Sequence, residues 1–185
     1  MTRLLNEIKS CNLCREHLPF APKPILQFHR SSELLLVGQA PGTKAHESGI
    51  PWNDPSGVRL RQWLQVSDET FYDPKKISIV PMGFCYPGPG TSGDLPPRPE
   101  CSERWMQSIL SHLTNVRTII LVGAYSSTYF LGAGDLRSKI RDHATNASRF
   151  VVLPHPSPRN NIWLKKNEWF ERESLPRIRR KLGTA

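Results

Sequence analysis

Four short apolar runs recur along the chain, at Leu34–Val37, Ile77–Val80, Thr118–Val122 and Phe150–Leu153. They are nearly continuous rather than alternating, and polar, Gly or Pro residues bound them. That is the pattern of strands buried on both faces. Between them the spacing turns helical, over residues 4–15, 57–64 and 99–113. In the last of these, Trp105, Ile109 and Leu113 fall on one stripe. A further helix opens at Gly123, and a basic helix closes the chain after Asn167, with Trp163, Trp169 and Phe170 reading as core. Strands alternating with helices predict a parallel sheet with both faces covered. The expected fold is a three-layer α/β/α arrangement around a four-stranded parallel sheet, one domain over residues 1–185.

The polar intervals carry the chemistry. Residues 38–56 read as a loop too polar for core, and a Pro-rich connection (Pro19, Pro22, Pro24) precedes the first strand. Residues 82–99 read as a long Gly/Pro loop in which Pro87, Pro89, Pro96, Pro97 and Pro99 oppose helix. A loop of that length is expected to be functional, or to be held by something other than a core. Two further runs directly follow strands: Gly38-Gln39-Ala40-Pro41-Gly42 and His155-Pro156-Ser157-Pro158-Arg159-Asn160. Ligands of parallel α/β sheets bind at the carboxyl ends of strands, so these runs are expected to form two walls of one pocket. His155 is the candidate electrophile. His46 and His143 lack such a placement and read as surface residues.

Charge and cysteines refine the picture. The net charge is +9, with basic residues gathered late, at Arg137, Lys139, Arg141 and Arg149, then Arg159, Lys165, Lys166 and the stretch from Arg172 to Lys181. Such a balance reads either as a solvated basic face or as a surface for a polyanion. No apolar run approaches a membrane span, and Met1–Lys9 lacks the apolar core of a signal peptide. The expectation is a soluble, cytoplasmic protein without a membrane partner. The four cysteines are then poor candidates for disulfides. Cys11-x2-Cys14 can chelate one metal centre, and Cys85 and Cys101 bracket the Pro-rich loop. Thiolates suit zinc and a [4Fe–4S] cluster alike. No His/Asp cluster has the spacing of a hydrolytic metal site.

From Gly38 to Gly57 the chain reads GQAPGTKAHESGIPWNDPSG. This block resembles, without a gap, the Gly-Glu-Ala-Pro-Gly … Gly-x-Pro-Phe … Gly segment of the iron–sulfur branch of the uracil-DNA glycosylase superfamily. The His-Pro-Ser-Pro-Arg-Asn run is more similar to the second motif of the single-strand-selective branch. The spacings of Cys11, Cys14, Cys85 and Cys101 match the cluster ligands of the iron–sulfur branch. The resemblance implies the same three-layer fold, a structural [4Fe–4S] cluster with zinc as the alternative, and base excision from DNA. The protein would be a nucleoid-associated monomer.

Excision breaks the C1′–N bond of a nucleotide flipped from the stack and leaves negative charge on the departing base. By resemblance, His155 donates to the base oxygen as that charge develops, and Trp52 stacks on the base where the family has phenylalanine. The alternative role of Trp52 is that of an aromatic packed in the core. Gly38, Ala40, Pro41, Gly42 and Asn53 are expected to line the base. Ala40 stands where other branches carry a carboxylate, and Gln39 stands where the iron–sulfur branch carries Glu. Gln39 can orient water but cannot accept its proton. Asp54, ranked above Glu47, is the candidate carboxylate for the water, with an Asx turn or helix cap as its alternative role. Arg159, Asn160 and Lys165 are expected to contact DNA. Pro81 replaces the Asn by which the iron–sulfur branch reads uracil. No lysine stands at either motif to attack C1′, Lys44 being the nearest, so a monofunctional enzyme is expected. Uracil is the first substrate. Hypoxanthine or xanthine, or a non-catalytic nucleic-acid binder, are the alternatives.

Overall fold

The computed structural model describes residues 2–184. In chain order its strands are β1 (Leu34–Val37), β2 (Ile77–Ile79), β3 (Pro89–Gly90), β4 (Gly93–Asp94), β5 (Thr118–Val122) and β6 (Phe150–Leu153). The α-helices are α1 (Thr2–Lys9), α2 (Thr43–Ser48), α3 (Pro55–Leu64), α4 (Asp68–Tyr72), α5 (Pro99–His112), α6 (Ala124–Leu131), α7 (Leu136–Thr145), α8 (Asn161–Lys166) and α9 (Leu175–Leu182).

The four apolar runs form one all-parallel sheet in the order β2-β1-β5-β6. Leu36 pairs with Ile79 on one side and Ile120 on the other, and Leu121 pairs with Val152. These residues are all buried, as a sheet covered on both faces by helices requires. The flanking helices supply Leu60 and Trp63 from α3, Trp105, Met106 and Ile109 from α5, and Leu175 and Ile178 from α9. The fold is the expected three-layer α/β/α one.

Strand order places the site. The chain leaves β1 toward β2 on one side and leaves β5 toward β6 on the other. The connections diverge there, so a crevice opens beyond the carboxyl ends of β1 and β5. The GQAPG run leaves β1 into that crevice, and His155 packs over it from the loop after β6.

Several expectations are corrected. The first helix stops at Lys9 rather than residue 15, since Cys11 and Cys14 lie in a turn that leads to a short 3-10 segment at Arg15–His17. The 38–56 loop contains α2, which buries little beyond Ala45 and so leaves no apolar periodicity in the sequence. Ser67 caps the short α4, which the apolar pattern does not show. The 82–99 loop is not left without a core. Met82, Phe84 and Tyr86 are buried in it, and the amides of Met82 and Gly83 bond to the carbonyls of Gly38 and Gln39. Its second half is the β3–β4 hairpin. His46 and His143 are half-buried rather than surface residues, each with Nδ1 enclosed and unpartnered among the described residues.

Candidate active site

A cavity of about 550 Å³ occupies the crevice. Gly38, Gln39, Ala40, Pro41 and Gly42 line it from the first motif, and His155 and Ser157 to Asn160 from the second, with Trp52 and Asp54 also in the lining. The two motif loops therefore face a single pocket, as their positions after β1 and β6 imply.

Trp52 has φ of +56°, a left-handed conformation that a bulky residue adopts only under tight local control. The control is visible. Its carbonyl accepts from Arg61 Nη1 and from the Tyr72 hydroxyl, both at 3.4 Å. A Cβ on Gly57 would lie 1.8 Å from that carbonyl oxygen, and one on Gly38 would lie 2.7 Å from the indole. Glycine at both positions lets the indole lie against the β1 loop, where its ring centroid is 5.7 Å from that of His155. Trp52 also packs against the core cluster, so the same side chain lines the cavity and contributes to the core.

His155 is fixed in one tautomer. The Ser157 amide donates to its Nδ1 at 3.2 Å, which leaves the ring proton on Nε2. Burial holds its pKa below the usual imidazole value, against the opposing charges of Asp54 and Asp94. A neutral ring with a fixed N–H donor therefore lines the cavity. Asn160, expected at DNA, donates to the His155 carbonyl at 2.7 Å and braces this loop.

Asp54 is the N-cap of α3, its Oδ1 accepting from the Gly57 amide at 2.7 Å. It also lines the cavity, so cap and site are combined in one carboxylate. Glu47 is exposed on α2 and lies outside the lining, as does Lys44. Asn53, expected on the base, is also exposed and outside the lining, because the inward turn at Trp52 sends the next side chain to solvent. Pro81 lines the cavity and offers it no side-chain polar group. Lys165 lies on α8 at a groove shared with Arg59 and Arg172 and with Glu168 and Glu171.

One wall escaped sequence reasoning. Ser92, Gly93 and Asp94 of the β3–β4 hairpin close the third side. Gln39 Nε2 donates to the Leu95 carbonyl at 3.3 Å, and Arg159 Nη1 reaches across the mouth to the Ser92 carbonyl, also at 3.3 Å. The two motif loops thus both hold the hairpin. The only signal in the sequence was the pair Gly90 and Gly93, two among many glycines and prolines that mark turns in general.

The cysteines also converge. Cys11, Cys14, Cys85 and Cys101 line one small, largely apolar cavity with Leu18, Pro22, Pro24 and Phe84. The Phe84 amide donates to Cys101 Sγ at 3.4 Å. Burial pushes Cys85 to about 11 and Cys101 to about 12, so these thiols are protonated at neutral pH unless a cationic centre takes the place of the protons. Thiols drawn from two distant segments, apolar walls and an amide donor to sulfur fit a thiolate-bound centre. Among the described residues, no group of three or more His, Cys, Asp or Glu side chains is already drawn together as a metal site.

The pocket between the two motif loops accords with what the chain matches. The model of the uracil DNA glycosylase superfamily covers residues 27–179, which includes the whole parallel sheet, both motif loops and the hairpin. The chain belongs to the uracil DNA glycosylase superfamily.

Proposed function

We propose that this chain is a monofunctional DNA glycosylase that excises a deaminated base, uracil foremost, after flipping it into the cavity beyond β1 and β5. The observation that carries the reading is the neutral His155, with its Nε2 proton free to donate beside the Trp52 indole. In this reading Trp52 stacks the base and the backbone of Gly38 to Gly42 walls its edge. The His155 N–H meets the base oxygen as the C1′–N bond opens. A donor preorganised in this way contributes most as the charge develops, since no reorganisation is needed then. Gln39 and the carboxylates of the cavity wall, Asp54 and Asp94, serve the sugar side and the attacking water. Arg159 and Lys165 meet the flanking phosphates, the former from the mouth of the cavity.

A second reading is supported by Pro81 and the volume of the cavity. The wall position that reads uracil by an amide in the iron–sulfur branch offers no polar group here, and about 550 Å³ accommodates a purine. Hypoxanthine and xanthine are therefore the rival substrates. The test is single-turnover excision on oligonucleotides carrying uracil, hypoxanthine or xanthine, as single strand and as duplex, with alkali cleavage at abasic sites. Cleavage at one lesion is the expected result and identifies the substrate. Intact DNA across the panel, with binding retained, contradicts the enzyme reading in favour of a nucleic-acid-binding homologue.

The same reading gives Cys11, Cys14, Cys85 and Cys101 to a structural [4Fe–4S] cluster, as their match to the iron–sulfur branch suggests. When bound, the cluster would supply four metal–thiolate links rather than a reaction step. Brown protein with about four irons per chain is the expected result; colourless protein with stoichiometric zinc contradicts it.

A further inference from the structure

We infer that Asp94, on the β3–β4 hairpin, is the carboxylate that takes the proton of the attacking water. The inference rests on the glycosylase reading and extends it to a residue outside both motifs. Ala40 and Gln39 leave the first motif with no group able to accept that proton. Two acids line the cavity, and they are held differently. Asp54 is occupied as the cap of α3, with Oδ1 on the Gly57 amide. A proton taken by its other oxygen would remove the charge from that cap and weaken an interaction worth about 0.5–2 kcal/mol in the helix that holds Trp52 in place.

Asp94 has no helix to cap, and its carboxylate is located from both sides. Its Oδ1 accepts from the Tyr86 hydroxyl at 3.4 Å, and that hydroxyl accepts from Thr43 Oγ1 at 3.1 Å. Tyr86 is only 5% exposed, so the donor is anchored in the core. Its Oδ2 sits over the first motif, where a Cβ on Gly42 would lie 3.2 Å away. Gly93, at φ +144°, admits Arg159 against the backbone beside it, and Leu95 is held by Gln39. The hairpin thus carries an exposed carboxylate at the cavity wall, on a support tied to both motif loops.

The step balances with water as the only co-reactant. The C1′–N bond breaks and its electron pair passes to the base, whose oxygen is met by the His155 N–H. A bond then forms between C1′ and the water oxygen, and the water proton passes to the Asp94 carboxylate. From there it is released to solvent or to the departed base. The products are an abasic sugar and the free base.

The experiment is single-turnover excision by the wild-type chain, Asp94→Asn, Asp94→Ala and Asp54→Asn, each checked for fold by circular dichroism and for DNA binding. Asp94→Asn keeps an acceptor for Tyr86 but cannot take a proton. It is expected to lose roughly 10²-fold or more in rate while still binding DNA. Added formate is expected to restore part of the rate to Asp94→Ala, which a merely structural residue would not show. Asp94→Asn within threefold of wild type, or a loss confined to Asp54→Asn, overturns the assignment. If the wild-type chain excises no base, the glycosylase reading fails and the assignment fails with it. If wild type excises and Asp94→Asn does so equally, the assignment alone is wrong.

Discussion

His155 illustrates how much a single hydrogen bond settles. With the Ser157 amide on Nδ1, a second ring proton would have to enter where a donor already points. Burial adds to the cost, and Asp54 and Asp94 only partly offset it. The consequence for stability has a definite sign. The unfolded chain takes up a proton on this ring near the ordinary value of about 6.5, whereas the folded chain does so only at lower pH. Stability associated with His155 is therefore intact above that value and is lost as pH falls through the folded pKa. His143, lowered by burial and by Lys181, acts in the same direction. The expected result is a melting temperature that declines below about pH 6.5 and declines less steeply in His155→Asn. An identical slope in the variant would show that the ring is not held neutral by the fold.

At the scale of elements, the loop that presents Trp52 depends on how closely α3 approaches it. Gly57→Ala would ordinarily favour a helix by roughly 0.5–1 kcal/mol. Here the added Cβ meets the Trp52 carbonyl oxygen at 1.8 Å, and the atom it meets is backbone. Overpacking of that kind costs about 1–3 kcal/mol, so the clash outweighs the propensity. Gly57→Ala is expected to melt earlier than wild type and to excise more slowly while binding DNA. A variant with raised melting temperature and full activity would mean that the Trp52 loop is free to move. The legibility of elements followed burial. Strands such as Leu35–Val37 and the α5 stripe at Trp105 and Ile109 show in the sequence because every core position is apolar. The short helix α2 does not, since Ala45 is its only buried residue. The β3–β4 hairpin does not either, being two residues on each side with Pro and Gly in the pairs.

At the scale of the whole molecule, topology explains what the motifs alone leave open. The order β2-β1-β5-β6 brings the loops after β1 and β6 to the same end of the sheet, and the hairpin closes the space between them. Residues fixed by strand ends, such as Gly38, Gln39 and His155, were legible because strand and loop are adjacent in sequence. Asp94 was not, because its place depends on Tyr86 and on Gln39 and Arg159, which hold the neighbouring Leu95 and Ser92 from two distant loops. Asn53 is exposed outside the cavity lining, next to the left-handed Trp52, a backbone turn that the sequence pattern does not show. The convergence of Cys11 and Cys14 with Cys85 and Cys101 likewise belongs to the tertiary fold, which brings two distant segments to one cavity.

The central claim is that the cavity is an excision site organised around His155. The most direct test is the single-turnover rate of abasic-site formation by wild type and His155→Ala, on whichever lesion of the panel wild type cleaves. The account predicts excision by wild type and a loss of roughly 10²-fold or more in the variant, with fold and DNA binding retained. An unchanged rate in folded His155→Ala, or no excision of any lesion by wild type, would contradict it.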